Sequence, residues 1–238
     1  MEQSPLKFKN GIKDGLPIGL GYLSVSFAFG VQASLLGLPA LFSMLISMTN
    51  LTSAGQLAGI AVIAALGSVA EIMLVQLVIN SRYFLMGVAL AQKTDDTFTT
   101  GKRLIAAAFI TDEIFAVSVS RRQKISFRYF LGLALLPYFG WTLGTVLGAV
   151  SGDVLPATVQ AALGIALYAM FIAIIFPPAV KSLSVLFTVA LAALLSCVCY
   201  YVPFIKDNLS SGFAIIICTL VSAAVAAAIF PVKEEDDE

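Results

Sequence analysis

Apolar residues run through the chain in eight helix-length blocks, at about 14–36, 39–61, 64–90, 104–120, 129–150, 155–176, 183–203 and 211–230. A membrane-spanning helix needs roughly 20 such residues. The pattern therefore predicts eight crossings, or seven if one early block only dips into the bilayer. The predicted fold class is all-α: a polytopic transmembrane helix bundle, read as one integral membrane domain over residues 1–238. The joint between the second and third blocks is soft, because residues 37–63 carry no charge.

Polar residues interrupt three of these blocks. Ser47–Gln56 reads SMTNLTSAGQ, with six polar residues in ten and no charge. Asn50, Thr52 and Ser53 are good N-cap residues, and Ala54-Gly55 permits a local break. A half-helix starting there would aim free N–H groups and a positive dipole end into the membrane, suited to a carboxylate. The bland reading is Ser and Thr bonding back to the preceding turn at a helix–helix contact. The third block carries Glu71, Gln76, Asn80 and Arg82. Glu71 and Arg82 share a face but sit ~16 Å apart along the axis, too far to pair. Glu71 can accept a substrate ammonium or pair with a cation of another span; Arg82 can snorkel to the outer surface or serve the site. The fourth block, Leu104–Ser120, holds Asp112 and Glu113 side by side and is closed by Arg121 and Arg122. A carboxylate mid-membrane costs roughly 2.5–3.5 kcal/mol on insertion scales and normally faces protein or a wet cavity. One acid is expected to line a solute pathway and the other to anchor a neighbouring helix, against the alternative of a structural ion-pair network.

Small residues give the first and fifth blocks a shared texture. Gly15, Pro17, Gly19 and Gly21 in the first are echoed by Pro137, Gly140, Gly144 and Gly148 in the fifth. This reads as an internal duplication, about 12–120 against 128–230, of the kind whose discontinuous helices mark transporter binding sites. Trp141 and Tyr138 fit interfacial anchors, or else pocket walls. Pro177-Pro178 is expected to end the sixth span, and Asp153 to sit solvated in a short outer turn.

Composition agrees with a membrane protein: 59% of 238 residues are apolar and 12% charged, with a mean hydropathy of +0.96. Fourteen basic residues balance fourteen acidic ones, but five of the acids form the tail Glu234–Glu238. The segment 233–238 is read as a solvated cytoplasmic tail, and no basic patch points to nucleic acid. Counting eight crossings, Lys7, Lys9, Lys13, Arg121, Arg122, Lys124, Arg128, Lys181 and Lys233 fall inside, and Lys93, Lys102, Arg103 and Lys206 outside. That bias predicts a cytoplasmic N-terminus. Cys197, Cys199 and Cys218 lie in apolar runs and read as packed thiols. There is no histidine and no G-x-x-x-x-G-K-[ST] loop, which excludes the HExxH and Ser-His-Asp chemistries and P-loop nucleotide hydrolysis. No cofactor or metal site is expected, and catalysis is not.

NLTSAGQ (50–56), E-x-x-x-x-Q-x-x-x-N-x-R-Y (Glu71 to Tyr83), TDEIF (111–115), GWTLGTVLG (140–148) and ALYAMFIAIIFPP (166–178) occur in order along nearly the whole chain. Together they resemble the AzlC family, the large subunits of two-component branched-chain amino-acid exporters. Many members carry Tyr-Ala-Gly-x-x-Gln in the second span, where this chain has Ser53-Ala54-Gly55-Gln56. The resemblance implies export of valine, leucine, isoleucine or methionine across the plasma membrane, with a small AzlD-type membrane subunit of about a hundred residues as partner. Self-association is compatible with such a bundle.

The function expected is thus secondary-active export of small apolar amino acids, ion- or proton-coupled. Asn50, Thr52, Ser53, Gln56, Glu71, Asn80, Arg82 and Trp141 are the candidate substrate-binding residues, and Asp112 and Glu113 the proton-coupling ones. The alternative is a channel or a non-transporting membrane scaffold. Polar groups concentrated in three spans, rather than ringed along a pore, weigh against the channel.

Overall fold

A computed structural model describes residues 6–152 and 154–231; Asp153 and the tail 233–238 lie outside the described residues. The described chain is helical: α1 (Phe8–Leu35), α2 (Ala40–Thr49), α3 (Ala54–Ala64), α4 (Val69–Lys93), α5 (Thr100–Ala107), α6 (Asp112–Ser120), α7 (Phe127–Ser151), α8 (Ala157–Lys181), α9 (Leu183–Tyr201), α10 (Pro203–Asn208) and α11 (Ser211–Ile229). Six of these, α1, α4, α7, α8, α9 and α11, are long and apolar enough to cross a membrane. Pro17 leaves α1 continuous. Pro177 and Pro178 do not end α8; they sit inside it, and the helix runs on to Lys181. The chain divides into two compact units, 1–60 with 79–167 and 61–78 with 168–238, which interleave along the sequence instead of following its two halves.

The first unit is built on α1 and α7. A Cβ on Gly11, Gly15, Gly19 or Gly30 would collide with the backbone of α7, and one on Gly132, Gly140, Gly144 or Gly148 with that of α1. Glycine at these positions removes the side chain that would hold the helices apart, as in small-residue membrane interfaces. The contacts advance together, Gly11 at Tyr129, Gly15 at Leu133 and Gly30 at Thr145, so the two helices run parallel. Ser126 Oγ donates to Leu6 O at their shared N-terminal end.

Two expected crossings are corrected here. The block 39–61 is two short helices, α2 and α3, broken at 50–53. It enters beside the C-terminal end of α1, and Ile60 on α3 returns to pack with Phe29 and Ala33 near that same end. The block 104–120 is also two short helices, α5 and α6, broken at 108–111. It starts at the opposite end, where Phe98 stacks edge-on against Phe127 and Lys102 Nζ lies 5.4 Å from the Phe127 ring. It comes back to that end, where Arg121 meets Asp14 at 2.6 Å. Each block is a hairpin that turns back. A stretch of ~20 apolar residues has the length to cross, but polar N-cap residues at its centre start a new helix instead.

The second correction concerns charge. α4 descends to the N-terminal end of α1 and α7, where Ile125 N donates to Lys93 O at 3.0 Å. Lys93, Lys102 and Arg103, expected on the outer side, therefore join Lys7, Lys9, Lys13, Arg121, Arg122, Lys124 and Arg128 at one end of this unit.

The second unit packs α9 against α11, with α10 between them in sequence. Its polar centre is Glu71, which caps α11: Oε1 accepts from Ser210 Oγ and from Gly212 N at 3.0 Å. Cys199 and Cys218 face each other across the helix pair at 3.9 Å as free thiols.

Candidate functional site

The tips of the two hairpins come to the same level of the first unit. Leu51, in the first break, packs with Tyr22 and Trp141. Thr111, in the second, caps α6 by accepting from Ile114 N at 3.4 Å, and the first turn of α6 reaches Tyr22, whose hydroxyl donates to Glu113 Oε2. Tyr138 joins both tips, donating to Met48 O at 3.3 Å and stacking edge-on with Phe109 at 5.3 Å. Tyr22 lies midway along α1, and Tyr138 and Trp141 lie at the middle of α7. A helix the length of α1 exceeds the ~30 Å hydrocarbon core at both ends, so its midpoint lies near the bilayer midplane.

Local sequence explains both breaks. In the first, Thr52 Oγ1 donates to Asn50 Oδ1 at 2.9 Å, and Ser53 takes a left-handed conformation at φ 41°. Left-handed backbone in a non-glycine residue is uncommon and often marks a functional turn. Gln56, on the first turn of α3, donates through Nε2 to Ser47 Oγ at 2.9 Å, and Ser47 Oγ shares a 2.7 Å hydrogen bond with Thr145 Oγ1 on α7. In the second break, Thr111-Asp112-Glu113 is an N-cap followed by two first-turn acids, a sequence favoured by the helix dipole.

The tips differ in charge. The first turn of α3 holds no acid, whereas that of α6 holds Asp112 and Glu113. Asp112 Oδ2 pairs with Arg82 NH1 at 2.7 Å, and Arg82 NH2 donates to Tyr83 OH at 3.1 Å. Arg82 thus points inward to an acid and does not snorkel. Among the buried polar atoms with no hydrogen-bond partner among the described residues are Trp141 Nε1 and Gln56 Oε1. Their residues are 3% and 1% exposed, so no solvent serves them from outside. An unpaired buried polar group costs roughly 1–3 kcal/mol and calls for a bound polar partner.

Most of the residues singled out in the sequence gather around these tips. Asn50, Thr52, Ser53, Gln56 and Trp141 line the first, and Arg82, Asp112 and Glu113 the second. Asn80 lies half-buried on α4 two residues before Arg82. Glu71 belongs to the second unit, where its carboxylate is taken up by the N-terminus of α11. Trp141 and Tyr138 are walls of the tip region, not interfacial anchors. Tyr22, Ser47, Phe109 and Thr145 carried no signal as site residues; only their position along the two central helices and the hairpins brings them in. The second unit also holds a cavity of about 590 Å³, lined by Ser196, Cys199, Tyr200, Lys206, Ser211 and Thr219 among others, with no acid among the described residues on its wall.

Comparison with known proteins agrees with this architecture. The family described as AzlC protein matches residues 17–155, a stretch that contains both hairpins and most of α1 and α7. The chain is 32% identical over 197 residues to the inner membrane protein YgaZ of Escherichia coli K12, covering 79% of this chain and 80% of that protein. It is 33% identical over 172 residues to a membrane protein of Archaeoglobus fulgidus described as uncharacterized, covering 71% and 75%. No solved structure matches it. With the match spanning the helices that carry both tips, the chain is a membrane protein of the AzlC family.

Proposed function

We propose that the chain is a secondary transporter exporting valine, leucine, isoleucine or methionine through the space between the two hairpin tips. The observation that carries this reading is the pairing of unlike helix starts at mid-depth: an acid-free one at α3 and an acidic one at α6. A zwitterion has matching ends. Its carboxylate suits the positive dipole end at the α3 start, with Asn50, Thr52 and Ser53 around it. Its ammonium suits Glu113, with Tyr22 holding the carboxylate in place. A small apolar side chain then lies against Leu51, Trp141, Tyr138 and Phe109, which offer apolar contact without selecting one branched shape. Arg82 neutralises Asp112, leaving Glu113 the better candidate for binding and proton exchange.

The ten cations collected at one end of the first unit support a cytoplasmic N-terminus, since basic residues near membrane helices favour the inner side. The setting is the plasma membrane, with a small AzlD-type subunit as partner, as the family resemblance implies. Binding and release drive the cycle; no covalent bond changes.

Counterflow of labelled leucine and valine in proteoliposomes tests the assignment. Glu113→Gln should lower exchange by roughly 10–100-fold, the worth of a hydrogen bond to a charged group. Exchange at wild-type rate and unchanged response to a pH gradient would remove Glu113 from both roles.

A further inference from the structure

The turn that joins α9 to α11 lies at a membrane surface. α10, within it, is far too short to cross, and Tyr200 and Tyr201 project exposed rings there, as tyrosines do where membrane meets water. Beneath this turn the two long helices leave the cavity of about 590 Å³, within the range of ligand pockets, roughly 300–1,000 Å³. Its wall is graded with depth. Lys206 stands at the turn, with Nζ 4.9 Å from the Tyr200 ring. Thr219 stands ~12 Å further along α11 than Ser211 by helix rise, and Ser196 faces the same space from α9. Ala192 and Ile215 add apolar wall. Among the described residues no ion pair holds Lys206, and Asp207 beside it in sequence is not on the wall. The start of α11 is already served by the buried Glu71, bonded to Ser210 and Gly212. The open charge of the cavity is therefore Lys206 alone. The side-chain hydroxyls of Ser196, Ser211 and Thr219 likewise make no hydrogen bond among the described residues.

We propose that this cavity binds one anionic phospholipid. Its phosphate pairs with Lys206, its glycerol ester carbonyls accept from Ser196 and Thr219, and the start of an acyl chain lies along Ala192 and Ile215. The order of the wall selects this ligand: a cation at the surface, neutral hydroxyl donors below it, apolar surface beside them. A fatty acid carries its charge at one end and has no carbonyls beneath it, so the deeper hydroxyls would go unused. A water-soluble anion gains nothing from the apolar wall. A zwitterionic phospholipid brings its own ammonium towards Lys206, where like charges repel. Basic pockets between membrane helices recognise anionic headgroups in this way. Bound there, the lipid fills the gap between α9 and α11 and ties the two helices together. The inference concerns the second unit alone and does not rest on the transport reading.

The thiols supply the reporter. Cys199 lines the cavity, whereas Cys197 is exposed and off its wall. The full-length chain, purified in detergent, is titrated with mixed micelles of dioleoyl phosphatidylglycerol or dioleoyl phosphatidylcholine, and alkylation of each cysteine by N-ethylmaleimide is followed by peptide mass mapping. Phosphatidylglycerol should slow the reaction of Cys199 saturably and leave Cys197 unchanged. Phosphatidylcholine should need roughly fivefold more lipid, the worth of one lysine at an anionic surface. Lys206→Gln should erase that preference, while Lys206→Arg should keep it. If Lys206→Gln does not fold, Ala192→Leu takes its place: it narrows the cavity with Lys206 intact and should weaken protection of Cys199 by both lipids. Equal protection by the two lipids in the wild type would overturn the proposal, as would a preference that survives Lys206→Gln, protection unchanged by Ala192→Leu, or equal slowing at Cys197, the mark of lipid coating the whole chain. Glycerol phosphate and oleate are the remaining arms. Protection by glycerol phosphate alone would make this a site for soluble anions, and oleate protecting as well as phosphatidylglycerol would make it a fatty-acid site; either result removes the phospholipid.

Discussion

The two hairpins are alike in plan and unlike in charge. Both are short helix pairs that turn back at the middle of α1 and α7, one entering from each end of the first unit. The α2–α3 tip is made of hydroxyls and amides, with no charge between Gly37 and Ile63. The α5–α6 tip carries two acids, one bound by Arg82 and one by Tyr22. A helix start without its own anion is open to a borrowed one, whereas a helix start already furnished with acids attracts cations. On the proposed transport reading, that difference makes the two tips complementary to the two ends of a zwitterion.

Making the first tip resemble the second is the most severe test. Ser53→Asp places a carboxylate at the α3 start, where the substrate's own would bind. Aspartate tolerates the left-handed backbone at this position, and an acid at a helix start contributes about 0.3–1 kcal/mol of stability. The melting temperature should therefore hold or rise, while leucine exchange is lost to background. Exchange that survives would show that the charge difference between the tips is unimportant.

Removing the cation from the second tip comes next. Arg82→Met leaves Asp112 unpaired at mid-depth, so stability and exchange should both fall, exchange by tenfold or more. The double variant Arg82→Met with Asp112→Asn removes the orphaned charge as well and should recover the melting temperature. No recovery would mean that Arg82 matters through contacts other than this pair.

Smaller effects sharpen the picture. Tyr22→Phe keeps the edge contact with Trp141 but removes the donor to Glu113, so the Michaelis constant for leucine should rise several-fold with the fold intact. Thr111→Ala removes the α6 cap and should cost about 1 kcal/mol, read as a drop of a few degrees in melting temperature with little change in exchange.

The first break was legible and the second was not, for a physical reason. NLTSAGQ puts polar N-cap residues in an apolar stretch, and a helix break at Ser53 follows from their chemistry. LIAAAFITDEIF reads as one helix because its first seven residues are uniformly apolar. Two signals pointed the other way. Thr111-Asp112-Glu113 is a helix start, and Lys102-Arg103 and Arg121-Arg122 place cations at both ends of one block. A crossing segment would have carried its basic residues on one side; a re-entrant one carries them at both ends, as here. The Arg82–Asp112 pair links residues thirty apart, and Glu71's role at α11 links residues about 140 apart. No local pattern encodes such distances, so the sequence could nominate these residues but not their partners.

The glycine seam between α1 and α7 also constrains motion. Where backbones touch with no side chains between them, one rod cannot slide or roll past the other without lifting out of its groove. The pair must travel as a single spine. Any cycle that exposes the midpoint first to one side and then to the other has to be performed by what leans on that spine. On the proposed transport reading, each hairpin, hung from a different end, would gate the midpoint from its own side.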